Sequence, residues 1–105
     1  MPIDRIQALK DMLAQNPRDS FARYGLAMEH MRAGALEQAV TEFRALTEMN
    51  PDYAAAYFHG GQTLEKLGRV DDARHLYQKG IEVTTRTGDG HTRSELQAAL
   101  DILPI

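Results

Sequence analysis

Asp71, Asp72 and His75 are the residues of this chain whose types and spacing come nearest to chemistry. On a helix, positions three and four apart share a face, so a carboxylate and an imidazole meet there as a metal pair or an acid-base pair. The plainer reading is a solvated ion pair, because no third ligand is suggested and no His-Glu-x-x-His segment occurs. Glu29-His30 offers less, since adjacent helical residues do not face each other. Gly88-Asp89-Gly90 lacks the Gly-Lys-Ser/Thr ending of a phosphate loop and reads as a linker. The chain contains no cysteine, which excludes disulfides, thiolate nucleophiles and cysteine-ligated metal. The expectation is therefore no catalytic residue, no metal site and no cofactor. An enzyme is a distant reading.

The elements that would position any functional side chain follow from length, charge and periodicity. With 105 residues, 43% of them hydrophobic, the chain suits one domain. The net charge of -3, with no charged tail, provides no basic field for nucleic acid. No run of eighteen apolar residues occurs, and MPIDRIQALKDM lacks the basic start and apolar core of a leader. The expected partners exclude nucleic acid and membrane, and a soluble, cytoplasmic protein is implied.

Internal period is the strongest signal. Asn16-Pro17 recurs as Asn50-Pro51, Gly34 as Gly68, Ala39 as Ala73 and Phe43 as the aromatic Tyr77, each 34 positions on. Within each period the apolar spacing is helical and breaks at glycine. Leu26, Ala27 and His30 precede Gly34, and Leu36, Ala39, Val40, Phe43 and Leu46 follow it. Tyr57, Gly61 and Leu64 precede Gly68, and Val70, Ala73, Leu76, Tyr77 and Ile81 follow. Each period thus reads as a helix hairpin. Pro17 and Pro51 end one helix and stiffen the entry to the next, with Asp19 a plausible N-cap. Ile6, Leu9, Met12 and Leu13 give a further amphipathic helix over 3–15. Thr92 with Glu95 makes a capping box leading into Leu96, Ala99, Leu100 and Leu103, so a last helix is expected over 92–103.

These residues resemble the tetratricopeptide repeat, a 34-residue helix-turn-helix that stacks into a right-handed superhelix. The resemblance covers 20–53 as the first repeat and 54–87 as the second, with 3–15 and 92–103 as capping helices of a single domain, 1–105. Leu26-Ala27, Ala39, Phe43 and Pro51 fit the pattern first, and Tyr57, Gly61, Leu64, Ala73 and Tyr77 fit it again. Three positions depart from it: Arg23 replaces an aromatic, Gly60 a large aliphatic residue and Thr85 the closing proline. The implied fold class is all-α, with antiparallel helix hairpins stacked as a short right-handed α-solenoid.

In such arrays the first helix of each repeat lines a concave groove. The resemblance places Phe21, Tyr24, Met28 and Arg32 there, facing Phe58, His59, Gln62 and Lys66. Aromatic rings give large contact area at low conformational cost, and Met adapts to irregular partners. The implied function is a non-catalytic protein-interaction module that buries an apolar peptide or helix segment, with Arg32 and Lys66 steering acidic groups. The alternative is a self-assembling scaffold, a homo-oligomer, using the same surface. A third arrangement covers the rings with the chain's own ends, including Ile102, Leu103 and Ile105. The Lys/Asn/Arg clamp by which family members hold acidic chaperone termini is absent, its places being taken by Tyr24, Met28, Ala55 and His59.

Overall fold

The computed structural model describes residues 4–105. Among them run six helices: α1 (Arg5–Gln15), α2 (Ser20–Arg32), α3 (Leu36–Met49), α4 (Ala54–Lys66), α5 (Val70–Thr87) and α6 (Gly90–Asp101). Ile3, expected in the first helix, lies outside the described residues.

The first N–H groups of a helix have no partner inside it, and an aspartate just ahead supplies one. Asp4, Asp19 and Asp89 do this, accepting from the backbone N–H of Gln7, Ala22 and Thr92. Asp19 is the cap its sequence position predicts. At α6 the sequence expectation is corrected: Asp89 is the cap, Thr92 supplies the N–H, and the helix runs from Gly90 to Asp101 instead of over 92–103. Gly88, at φ +80°, turns the chain so sharply that Asp89 stands at once in capping position.

Gly34 and Gly68 take the same left-handed conformation, φ +79° and +77°, at the bend of each hairpin. The departure at Thr85 has a structural outcome. Pro51 stands just past the end of α3, whereas Thr85, 34 positions later, keeps its N–H and bears no ring. So α5 continues to Thr87 and spans 18 residues against 14 for α3.

Packing joins neighbours in series. Leu9 and Leu13 of α1 meet Ala22 and Leu26 of α2. Ala27, Ala39, Phe43, Leu46 and Ala56 join α2, α3 and α4. Val40, Tyr57, Leu64, Ala73, Tyr77, Val83, Leu96 and Leu103 then run from α3 to the segment after α6. Ala39 and Ala73 are fully buried, as close helix approach requires. Met12, expected on the buried face of the first helix, is 43% exposed: Leu9 and Leu13, with Ile6 beside them, fill the contact. The result is antiparallel hairpins stacked as a short α-solenoid, 45 × 29 × 20 Å.

Tyr57 and Arg23 stand 34 positions apart and serve the same contact. The Tyr57 hydroxyl donates to the carbonyl of Pro51 at 2.6 Å, and Arg23 Nη2 donates to that of Pro17 at 3.1 Å. Arg23 also binds Glu42 at 2.7 Å, both side chains 19% exposed. The arginine that breaks the aromatic pattern thus keeps its hydrogen bond.

Candidate functional site

Stacking sets α4 against both α2 and α6, so these three helices form one side of the molecule. Tyr24 and Phe58, Met28 and Gln62, Arg32 and Lys66 are pairs 34 positions apart, and each pair therefore occupies equivalent places on that side.

Aromatic rings dominate its middle. Tyr24 lies 5.3 Å from Tyr53, 6.0 Å from His59 and 6.5 Å from Phe43, measured between ring centroids, and Phe58 meets His59 edge-on at 5.2 Å. Such arrangements add about 0.5–1.5 kcal/mol per pair beyond the area they bury. Burial pushes the Tyr24 phenol up from its ordinary value and the His59 imidazole down, so both are chiefly neutral at pH 7. His59 Nδ1 is buried without a hydrogen-bond partner among the described residues. This cluster holds the two repeats together as much as it offers a surface.

Of the eight residues expected to line one groove, six divide between two clefts. Phe21, Tyr24, Met28 and Arg32 line a cleft of about 170 Å³ with Leu9 and Arg5 of α1. Phe58 and Gln62 line a second of about 370 Å³ with Glu65, Glu95, Ala98, Ala99 and Ile102. His59 packs between Tyr24 and Phe58. Lys66 stands at the edge of the second cleft beside Gln62, Glu65 and Ile102. Among the described residues, α1 builds a wall of the first cleft and leaves Phe21 71% exposed, and α6 builds a wall of the second.

Charge differs between the clefts. At the first, Arg5 Nε and Arg32 Nη1 share Glu29 Oε1, at 2.8 and 3.1 Å. At the second, Glu65 accepts the Tyr77 hydroxyl, and Glu95 lies 3.2 Å from His91 Nε2. Burial, reinforced by Glu65, pushes the Tyr77 phenol far up, which fixes it as donor. Sequence reasoning missed Arg5, Glu65, Glu95 and Ala98, which belong to the rims or to the flanking helices and not to the face that the repeat pattern marks.

The trio Asp71, Asp72 and His75 does not assemble. Asp71 pairs with Arg74 at 2.7 Å and Asp72 with Arg44 at 3.7 Å, while His75 is exposed. Among the described residues no three His, Cys, Asp or Glu side chains gather to hold a metal ion. No described helix is long and apolar enough to cross a membrane.

Comparison with known proteins bears on the fold. A tetratricopeptide repeat domain protein from Salinibacter ruber is 42% identical, with a TM-score of 0.76 over 81% of this chain and 86% of its own. An uncharacterised protein of Methanocaldococcus jannaschii is 33% identical over 60 residues, 57% of this chain and 70% of that one. PcrH, solved in complex with the chaperone-binding region of PopD, superposes with a TM-score of 0.85 over 91% of this chain and 73% of its own, at 16% identity. The tetratricopeptide repeat profile itself matches residues 24–85, both hairpins with their glycine turns and paired alanines. On the period, the packing and this match together, the chain belongs to the tetratricopeptide repeat family.

Proposed function

We propose that the α2–α4–α6 side binds a segment of another protein, without catalysis. The family generally serves as a non-catalytic protein-interaction module, which carries the coarse reading. The single observation behind the finer one is Phe21: a ring 71% exposed, on the lip of a cleft whose floor is Leu9, Tyr24 and Met28. An isolated exposed apolar residue is ordinary, but one continuous with an apolar cleft marks a contact surface. An apolar side chain of the partner enters that cleft, and Arg32 at its rim draws an acidic neighbour. That the PcrH complex holds a region of its partner on this fold supports the reading at the level of fold.

The structure changes which variant makes the better test. Tyr24 and Phe58 are half-buried against core clusters, so truncating them also lowers stability. Phe21 touches solvent on most of its surface, and Phe21→Ala leaves the core intact. Peptides selected from a displayed random library against the wild-type chain should bind the variant less tightly by about 2 kcal/mol, near thirtyfold. Fluorescence polarisation reads this directly. Unchanged affinity for every selected peptide removes the first cleft from the binding surface.

A further inference from the structure

The α2–α4–α6 side carries opposite charge at its two ends. At the first cleft Arg5 and Arg32, whose side chains are 66% and 60% exposed, share the single carboxylate of Glu29, so positive charge is left over. At the second, Glu65 accepts the Tyr77 hydroxyl, and Glu95 pairs among the described residues with His91, which carries charge solely when protonated. Lys66 at its edge offsets one of these two carboxylates, and negative charge remains. His59 stands between the two ends, 6.0 Å from Tyr24 and 5.2 Å from Phe58. Burial is the main cause of its lowered pKa; of the charges around it, Glu95 acts to raise that pKa and Arg32 to lower it further. Each cleft also has an apolar side chain open to solvent, Phe21 at the first and Ile102, 80% exposed, at the second. A few residues of extended chain, at about 3.3 Å each, reach from Tyr24 past His59 to Phe58.

We propose that the occupant of this face is one charge-polarised segment of another protein that spans both clefts. An apolar side chain next to an acidic residue occupies the first cleft, and a few residues on, an apolar side chain next to a basic residue occupies the second. Arg5 and Arg32 meet the acid, Glu95 meets the base with Glu65 behind it, and Phe21 and Ile102 each cover one apolar side chain of the segment. Reversed placement sets like charges against each other at both clefts, so the segment lies only with its acidic end at α2 and its basic end at α6. Charge fixes the orientation; the buried apolar side chains supply most of the affinity. The inference rests on the reading of the first cleft as a binding site, and adds to it a second anchor and an orientation.

Peptides selected from a displayed random library against the full chain are the probe. They should carry an acidic residue toward one end and a basic residue toward the other, each beside an apolar one. Glu95→Lys should weaken these peptides at least about tenfold in fluorescence polarisation, and should bind as tightly as wild type the same peptides with the basic residue replaced by Glu. Circular dichroism checks that the variant remains helical. Ile102→Ala, at a side chain mostly in solvent, gives a second route to loss at the second cleft should the charge variant misfold. Peptides that lose affinity on Phe21→Ala but keep it on Glu95→Lys and Ile102→Ala overturn the second anchor and leave the first cleft a binding site. Peptides indifferent to Phe21→Ala remove both readings. So does a chain that sedimentation equilibrium shows to be a dimer which no peptide dissociates, since the face then belongs to a second copy.

Discussion

At the scale of the residue, the absence of a side chain at Gly61 is what allows Tyr77 its place. A Cβ there would lie 2.2 Å from Cε1 of the ring and 2.6 Å from Cζ, and the ring is fully buried with nowhere to turn. Gly61→Ala should therefore lower stability by roughly 1–3 kcal/mol in urea denaturation, the usual range for overpacking. Gly90→Ala should do the opposite. Nothing lies within 4 Å of a Cβ built at Gly90, its φ is not positive, and it opens α6, so the substitution should gain up to about 1 kcal/mol of helix preference. The family pattern marks Gly61 in the sequence, but nothing there explains Gly60 or draws notice to Gly80. At Gly60 a Cβ would meet Leu76 at 2.9 Å and Phe43 at 3.3 Å. At Gly80 it would meet Tyr57 at 2.6 Å and Leu96 at 2.9 Å. Those neighbours come from other helices, one of them α6, and no local spacing announces them.

At the scale of the element, the two hairpins solve one contact in two ways. Arg23 and Glu42 form a half-buried ion pair in the first, and the places 34 positions on hold Tyr57 and Leu76. Breaking such a pair strands a charge away from water, whereas exchanging both members for apolar groups of similar size is often neutral or better. Arg23→Ala should lower the thermal midpoint, while Arg23→Tyr with Glu42→Leu should match or exceed the wild type. A double variant less stable than Arg23→Ala would mean that the hairpins are not equivalent here. Helix identity and order were legible because the 34-residue period repeats both the glycine turns and the apolar spacing. The start of α6 was not. Two acceptors, Asp89 and Thr92, compete to cap it, and the left-handed turn at Gly88 decides between them.

At the scale of the whole molecule, the buried clusters lie in series and each touches only its neighbours, so an end left uncovered exposes a full helix face. Leu96 is fully buried and Leu103 nearly so, both within the cluster that holds Tyr57 and Tyr77. Removing residues 90–105 should cost cooperativity as well as stability, seen by circular dichroism as a broad thermal transition with less helix. A truncated chain that unfolds as sharply as the full one would show α6 to be dispensable to the fold. The outline of the proposed binding surface was the least legible feature, because its clefts close where α1 and α6 meet the repeats, outside the periodic positions. The clamp on the proline carbonyl, by contrast, carries a consequence for descent. Its acceptor is a main-chain oxygen, which no substitution removes, so a duplicated hairpin arrives with its socket already made. Only the donor has to keep its reach, and an arginine or a tyrosine suffices. Drift at that position is thus tolerated in one copy while the other keeps its ring, and the contact outlasts the likeness of the two side chains that make it.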